Sequence, residues 1–149
     1  MASSILTELR AGVSTASAEA TRDLAARLAS ALPPGSVLAL HGDLGAGKTT
    51  FVQGFAAGLG IHETITSPTF NIFTLHRGAG RTLVHLDAYR LDCGAQLTDL
   101  MIEDFLIQPW WLAVEWPEKV AGWLPPGALH LDLGHAPGAE RRHTLRLRP

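Results

Sequence analysis

The sequence predicts a single α/β domain over residues 1–149: a mixed, mainly parallel central sheet, helices on both faces and antiparallel strands at the edges. Three observations carry this prediction. Short apolar runs such as SVLAL (36–40) and WWLAVEW (110–116) lie between chain breakers and read as buried strands. Helix-patterned segments alternate with such runs, the signature of a sheet covered by helices. Two pairs of extended runs are joined by glycine-containing connectors, which predicts antiparallel strands beside the parallel core.

The elements follow in order. Residues 1–15 show no firm pattern and are expected to be loosely ordered. In the next segment Leu24, Leu28 and Leu32 recur four apart, with Ser17 as N-cap and Pro33-Pro34-Gly35 as the stop. SVLAL then runs straight into HGDLGAGKTTF (41–51), and helical spacing resumes at Phe51, Phe55 and Leu59, ending at Gly60. ITSPTF (65–70) is a loop. Phe70–His76 and Thr82–Asp87, separated by RGAGR, predict a hairpin. GAQLTDLMIEDFL (94–106) reads as a helix, and WWLAVEW as a strand ending in an acid. Ala128–Leu133 and Thr144–Arg148 read as the last two strands, joined by GHAPGAERRH.

Composition narrows the function. With 46% hydrophobic residues, 12 Lys plus Arg and 14 Asp plus Glu, the formal charge is -2. Such a chain can bury a core but lacks the basic excess needed to grip a nucleic-acid backbone by itself, so any RNA role is expected to be indirect. The lone cysteine, Cys93, excludes an internal disulfide and a cysteine-based metal cluster, and reads as a packing or surface residue of a reduced, cytoplasmic protein. No run has the ~18 apolar residues of a membrane span, and MASSILTELR does not read as a secretory signal.

Gly42-Asp43-Leu44-Gly45-Ala46-Gly47-Lys48-Thr49 fits G-x-x-x-x-G-K-[ST], after a predicted strand and opening a predicted helix. Glycines allow a tight turn whose backbone N–H groups converge on phosphate oxygens, and the helix N-terminus adds its dipole. In this P-loop NTPase arrangement Lys48 reaches the β- and γ-phosphates, the Thr49 hydroxyl is placed for Mg²⁺, and Thr50 can contact the α-phosphate. The chain has no D-x-x-G plus N-K-x-D pair, and its one asparagine, Asn71, precedes Ile72. ATP, with ADP as product, is therefore the expected nucleotide. Two strand-end acids can complete the site, Asp87 after LVHL and Glu115 after LAV. Either can hold Mg²⁺ or its water, or orient an attacking water.

GDLGAGKTTF, SPTF, HLDAYRL and VEWPEKV, in that order and spacing, resemble the bacterial TsaE family, also called YjeE, over nearly the whole chain from about Ala18. The resemblance implies a small cytoplasmic ATPase required for threonylcarbamoyladenosine at the tRNA position next to the anticodon. It implies that ATP binding and hydrolysis reset a complex of the TsaD transferase with TsaB, through which tRNA is met only indirectly. It also implies residue roles: Gly45 to Thr50 as phosphate cradle, Thr49 and Glu115 as Mg²⁺ contacts, and Asp87 as the Walker B-type acid. Ser67-Pro68-Thr69-Phe70 would be a switch-type loop on the γ-phosphate side, Trp116 a tryptophan important for activity, and Ala18 and Glu19 neighbours of the adenine. The chain departs from the family pattern at Ala88, Gln96 and Met101, where a larger apolar residue, glutamate and glycine are common. These departures bear on the local path of residues 94–105 more than on the nucleotide cradle.

The remaining residues are read more plainly. Arg90 fits a phosphate or partner contact as well as a surface ion pair. Trp110, Trp111 and Trp123 read as core or boundary residues, and His85, among apolar neighbours, as a satisfied strand histidine. Arg141, Arg142, Arg146 and Arg148 read as a solvated edge strand protected by charge, with a contact to tRNA or an acidic partner surface as the alternative. A slow, partner-stimulated ATPase is the leading function. A small-molecule kinase and a nucleotide-gated binding module without meaningful hydrolysis are the competing classes.

Overall fold

The structure, a computed structural model, describes residues 2–43, 46–65, 72–136 and 138–149. Its elements are α1 (Ala2–Ala11), β1 (Val13–Thr15), α2 (Ala18–Ala31), β2 (Val37–His41), α3 (Lys48–Gly58), β3 (Phe73–Gly78), β4 (Arg81–Asp87), α4 (Ala95–Asp99), β5 (Trp110–Glu115), β6 (Leu129–Ala136) and β7 (Ala139–Leu147). Two 3₁₀ turns, Ile102–Phe105 and Pro117–Val120, flank β5. The strands form one sheet in the order β1-β7-β6-β2-β5-β4-β3. Its centre, β6-β2-β5-β4, is parallel, and β3, β7 and β1 are antiparallel additions, as the sequence predicts.

Strand alternation separates two faces. Leu38, Leu40, Leu83, Trp111, Ala113 and Leu131 point to the face covered by α1, α2 and α3. Val37, Val84, Leu86, Leu112 and Val114 point to the other, where Leu97, Ile102 and Val120 from α4 and the two 3₁₀ turns cover them. Both faces carry helix, but the second cover is short and broken.

Local chemistry explains the covering helices. Ser17 caps α2, its hydroxyl accepting from the Ala20 N–H at 3.0 Å. Leu24, Ala25, Leu28 and Ala29 form its buried stripe. Gly54 and Gly58 let α3 lie directly on α2: a Cβ at Gly54 would sit 2.2 Å from the Arg22 carbonyl oxygen, and one at Gly58 2.6 Å from that of Ala26. The two backbones thus touch, and α3 is seated firmly above β2.

Four expectations are corrected. Residues 2–11 form a helix and 13–15 a strand, where loose order was expected. Ile5 and Leu9 bury themselves under α2, a tertiary contact invisible in the local pattern. The helix expected over 94–106 breaks into α4 and a 3₁₀ turn at Met101, which takes the left-handed conformation (φ 56°) that glycine enters without strain. The two last strands reach Ala136 and Ala139, so most of the expected connector is hairpin. Finally, β7 is an inner strand; the three-residue β1 covers its far side.

Candidate functional site

The site lies at the C-terminal ends of the parallel strands, on the face covered by α3. β2 ends at His41 and the chain turns back through the glycine loop into α3. Gly42 passes so close to β6 that a Cβ would be 2.6 Å from the Leu133 carbonyl oxygen, so no larger residue fits. Gly47 caps α3 in the left-handed region (φ 95°), and the Ala46 N–H donates to the Asp43 carbonyl at 3.1 Å. Lys48 opens α3, with Thr49 and Thr50 half-buried behind it. Leu44 and Gly45 lie outside the described residues, as do Ser67, Pro68, Thr69 and Phe70 of the expected switch loop.

The Lys48 side chain is buried. Its Nζ donates to the Gly42 carbonyl at 2.7 Å and lies 4.0 Å from the centroid of the Trp116 ring. Burial pushes its ammonium below the ordinary lysine range, against the pull of Glu115 and then Asp87. Trp116 takes a left-handed backbone conformation (φ 56°) directly after Glu115, turning its ring from the strand end towards Lys48 and Tyr89.

Asp87 and Glu115 are register partners at the ends of β4 and β5, 6% and 4% exposed. The Asp87 carboxylate accepts from the Tyr89 N–H at 3.0 Å, a local turn that fixes its direction. Glu115 is held from another strand: His85 Nε2 lies 2.6 Å from Glu115 Oε2. Two buried carboxylates side by side, facing one lysine, need further positive charge, and an all-oxygen donor set of this kind suits Mg²⁺. Thr49, Asp87 and Glu115 are the residues that would hold it.

The structure therefore brings together Lys48, Asp87 and the adjacent pair Glu115 and Trp116, three segments well separated in the sequence. Ala18 is exposed at the start of α2. Three residues before it, Thr15 pairs with His143, whose ring lies 3.6 Å from a Cβ position on Gly47, so this corner borders the cradle. His143 and the buried partner of Glu115, His85, are the site residues that sequence reading missed. The alternation His85-Leu86-Asp87 does place His85 on the same face as Asp87. Other singled-out residues fall elsewhere. Arg90 and Cys93 are exposed. Arg148 is paired with Asp132 at 2.8 and 2.9 Å, and Arg142 donates to the Ser14 hydroxyl at 3.3 Å. The Arg141 side chain lies outside those described. Gln96 holds the turn before α4, its side-chain oxygen accepting from the Asp92 and Cys93 N–H groups, as a glutamate would. Ala88 is fully buried on the other face.

The glycine-rich sequence thus lies between a central parallel strand and a helix that opens on lysine, facing acids at neighbouring strand ends, in a single-domain α/β protein with a mixed sheet. The profile of one family, "Threonylcarbamoyl adenosine biosynthesis protein TsaE", matches residues 15–144. The chain belongs to the TsaE family. It is 38% identical to the tRNA threonylcarbamoyladenosine biosynthesis protein TsaE of Bacillus subtilis, over 88% of this chain and 82% of that one. Its counterpart in Treponema pallidum is 40% identical, over 76% of this chain and 84% of that one. The crystal structure of Bacillus subtilis YdiB superposes with a TM-score of 0.74 at 32% identity, covering 90% of this chain and 81% of that chain. Among the described residues, no helix is long and apolar enough to cross a membrane.

Proposed function

We propose that this chain is a cytoplasmic Mg²⁺-dependent ATPase that supports threonylcarbamoyladenosine modification of tRNA by binding and resetting a TsaB–TsaD complex. The observation that carries the chemistry is Lys48, at the start of α3 after a glycine loop, facing the buried pair Asp87 and Glu115. Family membership supports the pathway.

The loop N–H groups and Lys48 bind the β- and γ-phosphates and stabilise charge as the γ-phosphoryl is transferred to water. Bound Mg²⁺ supplies electrostatic stabilisation of the phosphate oxygens. Asp87 and Glu115 orient the metal shell and the water, and Trp116 holds the Lys48 stem and head in place. The sequence offers no obvious internal arginine finger, so the isolated chain turns over slowly and a partner accelerates it. tRNA is met through that complex.

The test is the ATP hydrolysis rate of the chain alone and with the TsaB–TsaD pair of the same organism, with Lys48→Ala as control. Stimulation by the pair, reduced on the order of 10²–10³-fold by the substitution, is expected. Hydrolysis that appears only with a phosphate acceptor would instead make the chain a kinase. Partner binding that responds to ATP without turnover would make it a nucleotide-gated module.

A further inference from the structure

We propose that His85 is a positioning residue for the hydrolytic step, fixing the Glu115 carboxylate through a hydrogen bond from Nε2; this rests on the ATPase reading above. His85 is fully buried, between the buried apolar residues Val84 and Leu86 of its strand. An imidazole in such a place carries a desolvation penalty that a leucine would not. Its Nε2 meets Glu115 Oε2 at 2.6 Å, and its Nδ1 is buried with no hydrogen-bond partner among the described residues. A packing role does not call for a polar ring with one nitrogen left unpaired. An ionised carboxylate only accepts, so the bond requires the hydrogen on Nε2.

The register shows how the contact arises. His85 sits across from Ala113, two residues before Glu115, and all three side chains share the α3 face. The small Ala113 leaves room for the ring to reach diagonally to the end of β5. Asp87 needs no such help, because the Tyr89 N–H holds it locally. Glu115 ends its strand at a left-handed residue, Trp116, and depends on its neighbour strand for direction. With Oε2 held, the carboxylate presents its second oxygen in a single rotamer to metal or water. Partners that orient ligating carboxylates in this way typically change metal affinity or activity ~10–100-fold when removed.

The test compares the full chain with His85→Leu, His85→Gln, His85→Asn, Glu115→Gln and the double variant His85→Leu/Glu115→Gln. Each is assayed for cooperative thermal unfolding, ADP affinity, Mg²⁺ half-saturation and kcat. The imidazole ¹⁵N spectrum of the wild type reports the tautomer independently of turnover. Expected are a signature of hydrogen on Nε2, a kcat ~10–100-fold lower in His85→Leu with ADP affinity kept, and a raised Mg²⁺ half-saturation. Glutamine, whose amide can donate from nearly the Nε2 position, restores most of the rate, and the shorter asparagine does not. The double variant is no slower than Glu115→Gln, because His85 acts through that residue. Should His85→Leu fail to fold, the glutamine–asparagine difference decides, and equal rates for the two overturn the proposal. Wild-type turnover that is lost in Glu115→Gln but kept in His85→Leu overturns the proposal alone. A wild type without turnover overturns the ATPase reading and the positioning role together.

Discussion

The two faces of the sheet come from the same strands, yet they bury different chemistry. The face under α4 and the 3₁₀ turns is packed by Val37, Val84, Leu86, Leu97, Leu112 and Val114. The face under α1, α2 and α3 is equally apolar near the strand starts but becomes polar towards their ends. On β4 the inward residues run Leu83, His85, Asp87; on β5 they run Trp111, Ala113, Glu115. Lys48 completes the set from α3. Every buried ionisable side chain among the described residues lies on this face. The difference teaches that the site occupies one end of one face, where the α3 N-terminus and the glycine loop offer positive dipoles to balance the acids. The opposite face supplies apolar support and reaches the site through Trp116, which packs against it.

The sharpest way to break this comparison is to damage the supporting face and ask whether the site notices. Leu97 is fully buried against Leu86 and its neighbours in that cluster. Leu97→Ala is expected to destabilise the fold by about 2–5 kcal/mol, measured by urea unfolding. The turnover of the folded fraction should stay at the wild-type value. A parallel loss of turnover below the unfolding midpoint would show that the two faces are coupled.

The site was more legible in the sequence than its supports were. The glycine loop, Lys48, Asp87 and Glu115 are read from a spacing and from acids that end apolar runs, both local signals. The parallel centre followed from strands alternating with helices, and the β3–β4 hairpin from its glycine turn. What escaped depends on contacts between distant segments. α1 is stabilised by Ile5 and Leu9 docking on α2, and β1 by pairing with β7. The break at Met101 follows from a backbone angle that methionine does not advertise, although a glycine there would have done so. His85 looked like one more inward strand residue. Only the register of β4 on β5 shows that its ring meets Glu115.

Met101 offers a finer probe of the supporting face. Its side chain is 62% exposed while its backbone is left-handed, so the residue adds strain without burying much surface. Met101→Gly relieves a left-handed penalty of roughly 1–2 kcal/mol, and glycine's larger unfolded-state entropy returns roughly 0.5–1 of it. A net gain in stability of about 1 kcal/mol or less is expected, seen as a higher urea midpoint with unchanged turnover. A lower midpoint would mean that the methionine side chain helps to seal the apolar face.

Acid should separate the faces by the smallest margin. Burial holds the His76 ring, on the α3 face, below the ordinary histidine value, against the pull of its hydrogen bond with Glu63; Thr74 and His85 also face it. His41, on the other face beside His130, Glu118, Asp132 and Arg148, is lowered first by burial and then by Arg148. For both, the unfolded chain binds a proton near pH 6.5 while the folded one resists it, so the unfolded state binds more protons in that window. Stability is therefore full above about pH 6.5, declines as the pH falls below it, and levels off below the folded values. Urea midpoints at about pH 7.5 and pH 5.5 measure the decline. His76→Gln should flatten it more than His41→Gln, because His76 is the more deeply buried ring. The reverse order would move the acid-sensitive element to the supporting face, beneath the Pro117–Val120 turn that carries Glu118.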